Sequence, residues 1–132
     1  MIAKILIATT SDGEPDATLS VAAELAAAND AELVVLTVEP LIDARRVFDP
    51  RAMAGHHDMV LDMRRDHPGL RLRTSAASGD PVRAVCEAAE HERPDLIVVG
   101  RGSWRRGGTA MSKRASRVLV DQALCTVLVV AS

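Results

Sequence analysis

The stretch that decides the fold runs from residue 95 to residue 131: DLIVVG (95–100), RGSWRRGGTAMSK (101–113) and RASRVLVDQALCTVLVVA (114–131). A β-branched apolar run, Leu96–Val99, ends abruptly at Gly100 and predicts a buried strand. A loop rich in glycine and arginine follows, then a helical repeat and a second apolar run, Val127–Val130. This order predicts a strand, a loop of phosphate-binding size, a helix and an edge strand. Any ligand chemistry is therefore expected in the loop.

The remainder of the chain repeats the same alternation of strand and helix. Asp80-Pro81 predicts a helix that is capped by Asp80 and has Pro81 at its first position. The whole pattern predicts a single α/β domain over residues 1–132, with an open five-stranded parallel sheet, helices on both faces and right-handed crossovers. In such sheets ligands bind beyond the carboxyl ends of the strands, where the strand order reverses. The predicted strands are Ile2–Ala8, Leu33–Val38, Leu70–Ala76, Leu96–Val99 and Thr126–Val130.

Each helix is expected to bury one face, marked by apolar residues three or four positions apart. The segment 41–67 is the least regular and is expected to become helical only toward its end. Leucine alternates with arginine in Leu70–Ala76, which predicts a strand near a sheet edge. The helix positions predicted to face the core are Val21, Leu25 and Ala28, then Met59, Val60 and Met63, then Val82, Val85, Cys86 and Ala89, and finally Ala115, Val118, Leu119 and Ala123.

Composition argues against several classes of function. Aromatic residues make up only 2% of the chain, so base-stacking surfaces for nucleic acid are nearly absent. The net charge of −2 also argues against general affinity for nucleic acid. Cys86 and Cys125 have no paired spacing, and no apolar run approaches membrane-spanning length. We therefore expect a cytoplasmic protein that binds neither nucleic acid nor membranes.

Four stretches act together as a signature: KILIAT (4–9), ELVVLTVEP (32–40), ASGDPVRAVCEAAEHERPDLIVVGRGS (77–103) and SRVLVDQALCTVLVV (116–130). In combination they resemble the universal stress protein family. The resemblance implies a Rossmann-like fold of the adenine nucleotide alpha hydrolase type, with strand order 3-2-1-4-5. It also implies a nonenzymatic role in stress tolerance, with or without bound ATP. A homodimer is implied as well, through antiparallel pairing of the last strands at Thr126, Val127, Leu128, Val129 and Val130.

Family members that bind ATP carry an aspartate after the first strand and a loop of the pattern G-x2-G-x9-G-[ST] around the phosphates. In this sequence Thr10 stands at the aspartate position, and Gly100 matches the first glycine. Ser103 stands at the second glycine position, with Gly102 one residue early, and the final pair falls on Ser112-Lys113. These departures predict that the chain lacks ATP binding in the family's usual mode.

The loop and the start of the last helix are strongly basic, with six basic residues and no acidic one between Gly100 and Val120. Lys113 and Arg114 are expected in the first turn of the helix, where a cation is unfavourable unless an anion binds there. One interpretation is a site for phosphate, AMP or ATP in an altered mode. The other is a solvated basic loop or a contact for an acidic partner. The candidate residues of the site are Ala8, Thr9, Thr10, Val38, Val99, Gly100, Arg101, Gly102, Ser103, Arg105, Arg106, Ser112, Lys113 and Arg114.

The remaining chemically notable residues have structural interpretations. Cys86 is expected in the core, and Cys125 has no base nearby in sequence that would activate it. His56-His57 suggests a metal site, but adjacent histidines on a helix point in different directions, so a surface pair is favoured. Trp104 would either stack on a base or cover a neighbouring element. We predict no catalytic residues and no metal site.

Three functions remain open at this stage. The leading one is a homodimeric binding or signalling module of the stress response. The second keeps an adenine nucleotide, ATP or AMP, as the ligand of the altered loop. The third is a slow nucleotide hydrolase, for which similarity of fold is a weak argument because no acid–base pair or metal-binding group is recognisable.

Overall fold

A computed structural model describes residues 2–10, 17–39, 60–101 and 113–131. Strands and helices alternate along the described chain as the sequence predicts. The first strand is displaced toward the carboxyl side of its predicted bounds, and the third ends two residues later than predicted. The elements are β1 (Lys4–Thr10), α1 (Ala17–Asn29), β2 (Glu32–Glu39), α2 (60–66), β3 (Arg71–Ser78), α3 (Pro81–Glu92), β4 (Leu96–Arg101), α4 (Lys113–Gln122) and β5 (Thr126–Ala131).

The strands form one parallel sheet in the order β3-β2-β1-β4-β5, which confirms the predicted fold class and strand order. The central strands carry long apolar runs because both of their faces are covered. Residues 33–38 of β2 are all buried, whereas β3 is mostly exposed, as predicted for an edge strand. Among the described residues, none of the helices combines the length and apolarity that crossing a lipid bilayer requires.

Alternation along the strands divides the core into two layers. Ile5, Ile7 and Val35 belong to the layer under α1 and α2, which also contains Met63. Leu6, Leu36 and Ile97 belong to the layer under α3 and α4. Successive side chains of a strand point to opposite faces of the sheet, so each central strand contributes to both layers.

The predicted buried face of α1 is wrong. The buried side chains are Thr18, Leu19, Ala22, Ala23 and Ala26. The predicted Val21 and Leu25 are only half-buried, and Ala28 is exposed. The sequence ATLSVAAELAAAN is apolar on almost every side of the helix, so its spacing does not single out one face. Alanine lets the helix backbone lie close to the sheet, and that close packing selects the face.

The start of α3 agrees with prediction. Asp80 is the N-cap, its Oδ2 accepts a hydrogen bond from the Arg83 backbone N–H at 3.0 Å, and Pro81 occupies the first turn. The helix ends at Arg93, which is left-handed with φ 51° and donates its backbone N–H to the Ala89 carbonyl at 2.8 Å. Val82 and Val85 are buried as predicted.

In α4 the prediction of the inward face is partly wrong. Leu119 is fully buried and Ala123 is half-buried, but Val118 is 37% exposed. The helix packs near the β5 edge of the sheet, where no further strand of the described chain lies beside it. The side chain of Ala115 lies outside the described residues. Of the three positions predicted to face the core from α2, Val60 and Met63 are buried, and Met59 lies outside the described residues.

Candidate functional site

The carboxyl edge of the sheet contains a gap between β1 and β4. The pairing of β1 with β2 continues through Thr10, opposite Val38. The pairing of β1 with β4 ends at Ile7–Val98, although both strands continue for three more residues. The two strands therefore part at their carboxyl ends, at the point where the strand order reverses. Ligands of open α/β sheets bind at such a point.

Three predicted site residues are buried near this edge of the sheet. Ala8, Val38 and Val99 are essentially fully buried and belong to the core layer under α3 and α4. Each lies near the carboxyl end of its strand, and the three strands are neighbours in the sheet. Their burial defines the shape of the edge, and their contact with a ligand stays a prediction.

Thr9 follows Ala8 and lies beside the gap. Its side chain is on the other face of β1 from that of Ala8. Its Oγ1 is buried and has no hydrogen-bond partner in the described part of the chain. A buried hydroxyl without a partner costs about 1–3 kcal/mol, so a further polar group is expected to satisfy it. Gly100 is buried at the corresponding end of β4, where it pairs with Val130 of β5.

The basic part of the candidate site begins at α4. Lys113 and Arg114 are its first two residues, as predicted, and its first turn contains no acidic residue. Unpaired backbone N–H groups and the helix dipole make such a turn favourable for anions. Thr10 is the last residue of β1, and Arg101 is the last residue of β4. The structure describes the backbone of these two residues and of Lys113 and Arg114, but not their side chains. The predicted residues outside the described ranges are Gly102, Ser103, Arg105, Arg106 and Ser112, together with Trp104, His56 and His57.

The two cysteines lie away from this edge and are both half-buried. Burial raises the pKa of the Cys86 thiol and of the Cys125 thiol, so both are protonated at neutral pH. Cys86 is less buried than predicted, because it borders a groove beside α3. Within the described ranges, no group of three or more histidine, cysteine, aspartate or glutamate side chains is placed to hold a metal ion.

Known structures share this fold. They include the universal stress protein UspA from Lactobacillus plantarum, with a TM-score of 0.72 and 22% identity over 98% of this chain and 97% of that chain. A universal stress protein family protein from Arabidopsis thaliana with AMP bound has a TM-score of 0.62 and 20% identity, over 98% and 91% of the two chains. The universal stress protein from Archaeoglobus fulgidus in complex with dAMP has a TM-score of 0.66 and 18% identity, over 98% of each.

Sequence comparison extends the likeness from the fold to the family. A search of curated protein sequences finds no match. The model of the universal stress protein family, however, matches residues 1–131, which is nearly the whole chain. The match includes all four stretches on which the resemblance was based, together with residues 41–67, whose sequence pattern is the least regular. This chain therefore belongs to the universal stress protein family.

Proposed function

We propose that this universal stress protein is a noncatalytic, cytoplasmic binding module of the stress response, and that it acts as a homodimer paired through β5. The observation that carries the proposal is the chemistry of the two sheet edges. The sequence of β5, TVLVVA, contains no charge and no proline, and Leu128 at its centre is 36% exposed. At the other edge, β3 carries Arg71 and Arg73, which oppose pairing with another strand.

Antiparallel pairing of β5 with a second copy would cover its free edge. If the pairing is centred on Thr126–Val130, Leu128 lies opposite the same residue of the partner. Like charges directly opposite each other destabilise a strand pair. Leu128→Lys is therefore expected to weaken dimerisation by at least about tenfold, because it combines charge repulsion with loss of apolar contact.

Sedimentation equilibrium across a range of protein concentrations measures this effect. The matched control is Thr74→Lys, which places the same side chain at an exposed position of the opposite edge strand. The control should dimerise like the unmodified chain. A monomer at tens of micromolar for the unmodified chain, or an equal loss in both variants, would contradict the proposal.

The second candidate function is binding of an adenine nucleotide, with AMP favoured over ATP, at the gap between β1 and β4. Its specific support is the buried Thr9 hydroxyl, which lacks a partner among the described residues. The first turn of α4 offers a favourable place for a phosphate group. Structural relatives described with AMP, cAMP or dAMP make this ligand class reasonable for the fold. A nucleotide with fewer phosphates suits a chain whose loop departs from the ATP-binding pattern.

Thr9→Val removes the hydroxyl and keeps the shape of the side chain. If the hydroxyl bonds to the nucleotide, we expect titration calorimetry to show AMP affinity about tenfold weaker, which is the value of one hydrogen bond. Thr74→Val on β3 makes the same chemical change at an exposed site and should leave the affinity unchanged. Absence of AMP binding by the unmodified chain, or equal affinity in Thr9→Val, would contradict this candidate. Release of phosphate from ATP in the presence of Mg²⁺ would instead support the third function, a slow hydrolase.

A further inference from the structure

A groove of about 490 Å³ lies between the carboxyl-terminal ends of α3 and α4. Both helices end just before a strand begins, so the groove is at the amino edge of the sheet, opposite the gap between β1 and β4. Its walls are small and mostly apolar, formed by Cys86, Ala89, Pro94, Ala123 and Cys125. This surface plays no part in the function proposed above.

Leu124 stands at the lip of this groove, in the turn between α4 and β5. It is 92% exposed, compared with 49% or less for the other exposed large apolar side chains of the described residues. A leucine in that position leaves its apolar surface in water, where burial would be favourable. An apolar projection therefore lies directly beside an apolar depression.

Two opposite charges flank the same groove. Glu90 of α3 and Arg93, the residue that caps the end of this helix, line the groove, and neither forms an ion pair with any residue in the described ranges. Other charged residues of α3 are paired: Arg83 with Glu87 at 3.0 Å, and Glu92 with Lys4 and Arg73. The unpaired charges of this helix are thus the ones that border the groove.

We propose that this groove is an interface with a second copy of the chain, related by a two-fold axis. A two-fold interface uses the same surface on both subunits, so it requires a projection and a matching depression on one surface. Leu124 of each copy would fill the groove of the other, and Glu90 of each would face Arg93 of the other. Charge complementarity of the surface with itself selects this occupant over a charged peptide or an acidic partner.

The groove and the edge of β5 use different residues, although Leu124 and Cys125 of the groove directly precede β5. If both contacts form, the chain assembles beyond a dimer. If pairing through β5 fails, the groove alone still joins two copies. The experiment is therefore done in two backgrounds, the unmodified chain and Leu128→Lys.

Leu124→Asp tests the projection. The self-association that remains in the Leu128→Lys background should weaken by at least about 100-fold, because each interface contains two such leucines. Folding should be preserved, since the side chain is exposed, and an unchanged melting temperature verifies this. Leu61→Asp is the control, because Leu61 is 47% exposed on α2, away from the groove, and its replacement should leave association unchanged.

A charge exchange tests the pairing of Glu90 with Arg93. Glu90→Arg should weaken association, and the double variant Glu90→Arg with Arg93→Glu should restore it, which a purely structural effect would not do. The native thiols report on the same contact, since Cys86 and Cys125 are the only cysteines of the chain. Their alkylation by N-ethylmaleimide should slow as protein concentration rises, and should not do so in Leu124→Asp. If the Leu128→Lys chain is monomeric at all concentrations, or if Leu124→Asp associates as before, the groove is not an interface between copies.

Discussion

Replacement of Ile97 by alanine should lower the free energy of unfolding by about 3 kcal/mol, because it leaves a cavity at the centre of the sheet. Ile97 is fully buried in β4, where it lies between Leu6 of β1 and Val127 of β5. It belongs to the core layer under α3 and α4, so the loss affects both helices that border the groove. Denaturation by urea measures the change, and thermal unfolding should shift downward by about 10 °C.

Leu61→Ala provides the comparison for that result. It removes a similar amount of aliphatic side chain from α2, at a position that is 47% exposed. The expected loss is below about 1 kcal/mol, since little apolar surface leaves a packed environment. Equal losses in the two variants would show that the stability of the chain does not depend on the packing of β4 between its neighbours.

The fold class could be predicted because it depends on local pattern, whereas the strand order was implied by the resemblance to the family. Apolar runs such as Leu33–Val38 predict strands covered on both faces, and the observed burial of β2 is of this kind. The face of α1 could not be predicted, because its alanines offer no contrast between the two sides of the helix. The exposure of Val118 depends on the position of α4 near the sheet edge, which no spacing within the helix records.

The candidate site could be predicted only as a location. The end of β4 and the start of α4 were recognisable from Gly100 and from the basic residues at 113 and 114. The gap between β1 and β4 depends on where two strands distant in sequence cease to pair. The Thr9 hydroxyl is buried without a partner among the described residues, and this property of one atom in the folded chain has no signal in the sequence. The groove beside Leu124 likewise joins residues 86–94 with residues 122–125, so its existence is a property of the packed chain.

Glu92 should make the stability of the protein depend on acid pH. Its Oε1 accepts a hydrogen bond from Arg73 Nη1 at 2.9 Å, and its Oε2 accepts from Arg73 Nη2 and from Lys4 Nζ, the latter at 3.3 Å. Arg73 also bonds to Glu32 at 3.1 Å, so this cluster joins α3 to the first three strands. The Arg73 guanidinium, followed by Lys4, lowers the pKa of Glu92 from 4.5 to about 2. These partners are far apart in sequence, which is why no spacing predicts the cluster.

The direction of the pH effect follows from this lowered pKa. Between pH 4.5 and about 2 the unfolded chain binds a proton at Glu92 that the folded chain does not, so stability falls as the pH is lowered through this range. Glu92→Gln removes the charge and keeps the shape, and we expect it to lower the free energy of unfolding at neutral pH by about 2 kcal/mol. The difference from the unmodified chain should shrink toward zero near pH 2, which urea denaturation across this pH range measures.

Glu87→Gln on the same helix distinguishes this cluster from an ordinary surface pair. Glu87 bonds to Arg83 at 3.0 Å, but its side chain is largely exposed, so its loss should change stability by less than about 0.5 kcal/mol at any pH. Asp95 retains its own bonds from the backbone N–H groups of Ala3 and Lys4 in both variants, and these lower its pKa. Some acid dependence should therefore persist in Glu92→Gln. A difference between Glu92→Gln and the unmodified chain that stays constant from pH 7 to pH 2 would contradict this prediction, because it would mean that the loss of stability does not come from the ionised form of Glu92.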